Sequence, residues 1–505
     1  MSRTDSATDL LIKHGLVLAS AHEPAAVDTD ILIRQGKIIA VGHGLNVASD
    51  TRVIDASGLL LAPGLINGHF HSHEHFHKGR FDNLPLELWM HFVRPPIAPP
   101  ALTPKQVYLR TMIGAIEALR TGTTFVVDDV NHAPHFSRDC IQAVFQAYED
   151  IGLRALVSVS LYDLPFYRSV PFFDQEMPEA LRSQLDAQPS PNGHDLLELI
   201  QGLADTYPSQ QRVGFIVAPS APQRCSDAFL VQLSQFADQR NLPMILHLLE
   251  TRLQAVTGGI LYGCSMVEHL AELGILSPRL ALQHCVWLTQ QDIHLLAQAG
   301  ASAVYNPLSN CKLGSGRMAV RRFLDAGVNV ALASDGCGSR DSLNMLSVVQ
   351  ATALFNKSPT ESPEQWISAA EAFALGTEGG AKAFGRQEEL GQIKPGYCAD
   401  LVGYRLSKMP FVPLNDPLRQ LVYAETGASV DLVVIDGVEV MQDGHLTQVN
   451  EAEIINQIIA THQEILPSLQ QSEATVQAFL PFYRRIYDRC QSEAIDPAIL
   501  TPDNL

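Results

Sequence analysis

Two histidines, His69 and His71, sit two residues apart at the end of the apolar run Leu59-Leu60-Leu61-Ala62-Pro63-Gly64-Leu65-Ile66-Asn67-Gly68. On a β-strand that spacing puts both imidazoles on one face. Two neutral ring nitrogens converging from one face can hold a divalent metal. Suitable partners follow in order. His247 closes Ile245-Leu246-His247, His284 closes Leu282-Gln283-His284, and Asp335 closes Leu332-Ala333-Ser334-Asp335. Three imidazoles and a carboxylate suit one zinc or iron(II) ion with a position left open for water. Such an ion lowers the pKa of its water from ~15.7 towards ~7, giving a hydroxide that attacks an electrophilic carbon. Glu250, three residues past His247, is placed to take the proton of that water and return it to a leaving amine. His284 is read as a group that polarises substrate or water, because four ligands are available without it. Asp335 would bind metal and accept a proton.

These side chains lie far apart in the chain, so a scaffold must gather them. Strand-like apolar runs recur at 60–71, 123–130, 154–161, 212–220, 243–250, 279–285, 302–309 and 329–336. Helical patterns at 107–120, 140–152, 226–240, 291–299 and 317–326 separate them. Strand then helix, repeated over eight units, is the pattern of an α/β fold of the (β/α)₈ TIM-barrel type, whose active site lies at the C-terminal strand ends. Every candidate ligand falls at such an end. Short β-branched runs with glycine punctuation occupy the first sixty residues and return at 399–403, 430–437 and 438–441. They predict a small β-sandwich built from both ends, with residues 1–62 and 391–450 around a barrel of 63–390. The tail, 451–505, has helical apolar spacing and is expected to pack outside the barrel. A long aromatic connection, 162–195, is either a lid or a subunit contact.

Composition narrows the class. The chain has 505 residues and a net charge of −19, from 35 basic and 54 acidic residues. Without a basic cluster, nucleic acid and anionic membrane are disfavoured as partners. No apolar run approaches the roughly 20 residues of a membrane span. Met1-Ser2-Arg3-Thr4-Asp5 has no signal pattern, so the expected compartment is the cytoplasm. Eight cysteines without a C-x-x-C pair argue against disulfides and a cysteine zinc site. The expected partner is a small-molecule substrate, and a homodimer or higher homo-oligomer is the expected assembly.

The ordered motifs resemble the amidohydrolase superfamily, in its cytosine-deaminase-like and chlorohydrolase-like branch. They are Pro63 to His71, Thr121-Gly-Thr-Thr124, His247-Leu-Leu-Glu250, His284-Cys285, Asn306-Pro-Leu-Ser-Asn310, Gly314-Ser-Gly316, Ser334-Asp335, Gly391-Gln-Ile-Lys-Pro-Gly396 and Ala399-Asp400. The resemblance implies a mononuclear metal on His69, His71, His247 and Asp335, with Glu250 as proton shuttle and His284 facing the substrate. Dinuclear relatives carry a carboxylated lysine on strand four, whereas Val213-Gly-Phe-Ile-Val-Ala-Pro219 has none. The segment Leu84-Pro-Leu-Glu-Leu-Trp89 looks like the L-P-L-x-x-W wall of adenosine-derivative and s-triazine aminohydrolases. Relatives acting on nucleosides place a ribose-binding glutamate soon afterwards. Here Arg94-Pro-Pro-Ile-Ala-Pro-Pro100 follows, which weakens a nucleoside assignment. Trp89, Arg252, His284 and Asn306 are the expected substrate contacts, although Arg252 could equally be structural.

The function expected is hydrolytic deamination of an amino-substituted N-heterocycle or cyclic amidine. The runner-up is loss of halide, alkylamine or amide from a similar ring. Two remoter readings compete. His73-Glu74-His75-Phe76-His77 matches the H-E-x-x-H of zincin peptidases, but that motif needs a helix and this segment follows a strand. A barrel that lost catalysis is opposed by the presence of every site residue.

Overall fold

The computed structural model describes residues 9–22, 26–97, 99–131, 137–165, 167, 169–189 and 191–500. The N-terminal pentapeptide, Ala98 and Phe166 lie outside the described residues. The first strands are β1 (Leu10–Val17), β2 (Val27–Arg34), β3 (Lys37–Gly42), β4 (Arg52–Asp55) and β5 (Leu59–Pro63). Next come β6 (Leu65–Phe70), β7 (Thr123–Val130), β8 (Arg154–Val159), β9 (Val213–Phe215), β10 (Met244–Leu248), β11 (Leu280–His284), β12 (Ser302–Tyr305) and β13 (Asn329–Leu332). The last are β14 (Leu401–Arg405), β15 (Val430–Ile435), β16 (Val438–Gln442) and β17 (His445–Leu446).

Strands β6 to β13 make the TIM barrel. Each ladder, β6-β7-β8-β9 and β10-β11-β12-β13, is parallel throughout. A parallel bridge between Val217 and Met244 joins them at one seam. At the other, the Asp335 N–H donates to the His69 carbonyl at 3.1 Å. Asn67 and Ser334 reinforce that seam with side-chain bonds of 2.7 and 3.0 Å. Ile66, Phe125, Leu156, Ile216, Ile245, Ala281, Val304 and Ala331 form one buried cluster, one residue from each of the eight strands or its continuation. This is the packed interior of a barrel. Their neighbours Val126, Val157, Leu246, Leu282, Ala303 and Leu332 face the other way, into the core shared with the surrounding helices. Burial on both faces explains why these strands read as continuous apolar runs.

That continuity hid one boundary. The single strand expected over 60–71 is two strands, β5 and β6, parted at Gly64. A Cβ at Gly64 would lie 2.0 Å from Thr124 Oγ1, so only glycine lets the chain pass there. β5 belongs to a sheet of nine strands in the order β17-β16-β15-β14-β5-β1-β2-β3, with β4 on β1. Segments from before and after the barrel therefore share one small β-structure. Ile12, Ile31, Ile33, Leu61, Leu401 and Val434 pack together in its own core. Arg154, at the start of β8, ties it to the barrel. Its guanidinium donates to Asp400 at 2.7 and 3.0 Å and to Asp436 at 2.8 Å.

The run 302–309 likewise splits, because Pro307 fits the first turn of a helix, Pro307–Lys312. The expected tail helices are Glu451–Val476 and Leu480–Ser492. Among the described residues no helix is long and apolar enough to cross a membrane. All eight cysteines are free thiols.

Candidate metal centre and substrate chamber

The C-terminal strand ends bring the expected residues together. His71 Nε2 lies 3.3 Å from His247 Nε2. The ring of His69 sits edge-on to both, with centroids 4.5 and 4.7 Å away. Asp335 Oδ1 is 3.5 Å from His71 Nε2 and 3.8 Å from His69 Nε2. Glu250 Oε2 is 3.6 Å from His284 Nε2. Among the described residues three sets of side chains could hold an ion here: His69, His71 and His247; Glu250, His284 and Asp335; and His71, His73 and Glu74. His284 and Asp335 have φ of +71° and +62°. Non-glycine residues adopt that region at a cost of about 1–3 kcal/mol, typically at functional sites. The turn ends each strand sharply at the site.

Hydrogen bonds fix the tautomers. His71 Nδ1 is 2.7 Å from the Asp129 carbonyl, and His247 Nδ1 is 2.8 Å from the Ser220 carbonyl. A carbonyl only accepts, so both Nδ1 atoms carry the proton and both Nε2 atoms present lone pairs. Burial, reinforced by neighbouring imidazoles, pushes His247 and His69 well below the usual histidine range. Burial takes His71 down to about 4, against the pull of Asp335. The rings are therefore neutral at pH 7. The 3.3 Å contact between His71 and His247 is then two lone pairs face to face, which is not a hydrogen bond. Two nitrogens at about 2.05 Å from one ion, at the tetrahedral angle, stand about 3.3 Å apart. Both nitrogens of His69 are buried without a hydrogen-bond partner among the described residues. The donor set fits a divalent cation.

His284 Nδ1 is 2.9 Å from Asn310 Oδ1, which directs Nε2 towards Glu250. Burial raises Glu250 to about 7, so this carboxyl can both hold and release a proton near neutrality. Glu74 is also buried and pushed well above its ordinary value, first by burial and then by Asp335. Its Oε2 accepts from Gly338 N–H at 3.2 Å.

A cavity of about 40 Å³ opens on this site, lined by His71, Glu74, Trp89, Arg94, Arg224 and Glu250 among others. Trp89 is where the sequence put it, and its Nε1 donates to the Gly338 carbonyl at 3.0 Å. Two other expected contacts are elsewhere. Arg252 donates to the carbonyls of Cys490 and Glu493 at 3.1 and 2.6 Å, and so clasps the C-terminal tail. Asn306 is fully buried, and its Nδ2 donates to the Val304 carbonyl at 3.2 Å. It precedes the helix that carries Asn310, and Asn310 is the residue that reaches the site. A chamber of about 180 Å³ adjoins, with Arg94 lining both spaces. Tyr162, Pro165, Tyr167, Gln188, Pro189 and Pro191 of the long connection wall it, opposite Ile465 and Leu469 of the tail. The connection thus takes the lid position, and the tail helps enclose the site.

The segment Ser72–His77 is a 3₁₀ turn, not the α-helix a zincin needs. His77 joins none of the side-chain sets able to hold an ion among the described residues.

The sequence profile of the amidohydrolase family matches residues 60–440. The chain belongs to the amidohydrolase family. This amidohydrolase is 33% identical over 466 residues to a 5-methylthioadenosine/S-adenosylhomocysteine deaminase of Syntrophobacter fumaroxidans, covering 92% of this chain and 99% of the relative. It is 31% identical over 435 residues to a 5'-deoxyadenosine deaminase of Methanothermobacter thermautotrophicus, covering 86% and 94%. Its fold superposes on a zinc-bound adenosine deaminase of Xanthomonas campestris with a TM-score of 0.80, 28% identity and coverage of 91% and 99%. A zinc-complexed atrazine chlorohydrolase of Arthrobacter aurescens superposes with a TM-score of 0.81, 25% identity and coverage of 90% and 100%.

Proposed function

We propose that this amidohydrolase deaminates an amino-substituted nitrogen heterocycle by hydrolysis, with one zinc ion held by His69, His71, His247 and Asp335. The observation that carries the reading is the pair of facing lone pairs on His71 and His247, 3.3 Å apart, with Asp335 Oδ1 at 3.5 Å from one of them. The ion, when bound, supplies Lewis acidity that makes water a nucleophile near neutral pH. The chain's own groups do the rest. Glu250, buried beside His284, takes a proton from the attacking water and delivers it to the departing amino nitrogen. Asn310 holds the His284 ring so that Nε2 meets the substrate edge and steadies charge developing there. Trp89 supplies a flat apolar wall for a ring. The names of the relatives support an exocyclic amine on a purine-like ring as the first substrate to test.

Metal-replete protein should release ammonia from at least one ring in a panel of amino purines, pyrimidines, pterins and triazines. Glu250→Gln should abolish that release while mass spectrometry still finds about one metal per chain. Undiminished turnover in Glu250→Gln removes the shuttle assignment. Full metal content after His71→Ala and His247→Ala removes the metal site. Release of chloride from chlorotriazines in the absence of any ammonia release would move the reaction to the runner-up leaving group.

A further inference from the structure

The chamber beside the metal centre contains polar groups that the reaction itself does not use. Arg110, on the helix Pro104–Arg120, lines it and is only 6% exposed. Its Nε and one terminal nitrogen, Nη2, have no hydrogen-bond partner among the described residues. No carboxylate lies within ion-pairing distance of it among those residues. The acid whose field reaches it is Asp128. The oxygens of Asp128 are committed elsewhere, to Ser72 N–H at 2.8 Å and Tyr148 O–H at 2.8 Å. His73, His77 and His91 line the same space. His77 is 7% exposed with Nδ1 unpartnered, and His91 is 2% exposed with Nε2 unpartnered, again among the described residues. His91 is fixed by stacking on Tyr483 at 3.7 Å.

A buried guanidinium without a counter-ion is costly. Water in the chamber can meet its hydrogen bonds but not its charge. The planar fork of arginine matches a carboxylate or a phosphate, and an unfilled fork next to two hydrogen-bonding imidazoles is an anion seat. The other walls are mostly proline, aromatic and aliphatic surface, interrupted by His73, Asn131 and Gln188. Size agrees. The 40 Å³ space at the metal side has room for little more than a water, at ~30 Å³ each, and a reacting amino group. The 180 Å³ chamber exceeds the roughly 150 Å³ that holds a benzene-sized guest.

We propose that the substrate is an acidic amino-heterocycle: its reacting edge sits at the metal centre, and an apolar-bodied substituent ending in a carboxylate or phosphate extends past Arg94 to Arg110, His77 and His91. This rests on the deaminase reading above and narrows its substrate class.

Matched derivatives of adenine, cytosine and an aminotriazine, each bearing a carboxyethyl, phosphonoethyl or butyl tail, test it on full-length, metal-replete protein. On any ring that is turned over, kcat/KM for an acidic member should exceed that of the butyl member by about tenfold or more, mainly through KM. The carboxylate and phosphonate arms tell which anion is preferred. Arg110→Met should erase the preference and Arg110→Lys should keep part of it. Should Arg110→Met fail to fold, His77→Phe is read instead and should reduce the preference. Equal or better use of the butyl member, or a folded Arg110→Met or His77→Phe variant with the preference intact, overturns the proposal. If no ring is turned over, the deaminase reading fails, and calorimetric binding of the same compounds still decides the anion seat. Tighter binding of the acids, lost in Arg110→Met, upholds it, and equal binding of acid and butyl members overturns it.

Discussion

Replacing Arg154 by methionine should loosen the joint between the barrel and the small β-structure without touching the chemistry. The guanidinium is 2% exposed and makes two bonds to Asp400 and one to Asp436. Methionine keeps much of the volume, so little of the loss is a cavity. What remains is Asp400, 7% exposed, with its charge uncompensated. Breaking one side of a buried pair in this way costs about 3–5 kcal/mol. Asp436 adds little, because 39% of its side chain is in water. At roughly 2–4 °C per kcal/mol for a large domain, the thermal midpoint should fall by about 6–20 °C. Arg154 opens its strand at the end opposite the candidate metal centre, where residues serve stability. Metal content and turnover per folded molecule should therefore stay at the wild-type level. Removing the stranded charge as well, in Arg154→Met with Asp400→Leu, should restore at least half of the lost stability. A single variant within about 1 kcal/mol of wild type by denaturant titration would refute the reasoning. So would a double variant no more stable than the single one.

Acid should destabilise the fold through three histidines outside the proposed ligand set. Burial holds His75, His77 and His91 at about 3, against about 6.5 in the unfolded chain. The unfolded state binds these protons first, so stability is intact above pH ~6.5 and declines from there towards pH ~3, by up to ~1.4 kcal/mol per pH unit for each residue. Denaturation midpoints between pH 7.5 and 5 should show a shallower slope for His75→Phe than for wild type, and equal slopes would contradict the assignment. Chelation should lower the thermal midpoint and zinc should restore it, by ~4 kcal/mol when free metal is a thousandfold above its Kd; a midpoint indifferent to chelator would mean that no ion is bound. Asn310→Leu should cut kcat by roughly 10–100-fold with KM and metal content little changed, because His284 loses the bond that aims it. A variant with wild-type kcat would show that the ring is oriented by packing alone.

Much of the site was legible in the sequence because barrel geometry leaves few choices. A side chain at the C-terminal end of a parallel strand faces the common mouth, and His69, His71, His247, His284 and Asp335 all occupy such ends. Two expected contacts lie elsewhere, and for Arg252 the structural alternative is the one seen. Arg252 follows Glu250 by two positions, but it opens a helix and its side chain turns outward to the tail. Asn306 stands first in its motif, yet the helix it precedes carries the fourth residue on, Asn310, to the ring of His284. The cations of the chamber and of the smaller space beside it gave no signal at all. Arg94, Arg110 and Arg224 lie far apart in the chain, singly, in segments whose patterns suggest only a loop, a helix and a turn. The break at Gly64 was equally silent, since an apolar run buried on both sides looks the same whether it serves one sheet or two. Tertiary packing supplied what periodicity could not.

The two closing helices have a meaning beyond their own packing. Tyr483 backs His91, Ile465 and Leu469 form part of the chamber wall, and the clasp by Arg252 holds the chain at Cys490 and Glu493. The reaction vessel is thus finished only when the last stretch of polypeptide has wrapped around it. A molecule shortened before Glu451 would keep the strands that carry the candidate metal centre yet hold its chamber open to bulk solvent along one flank.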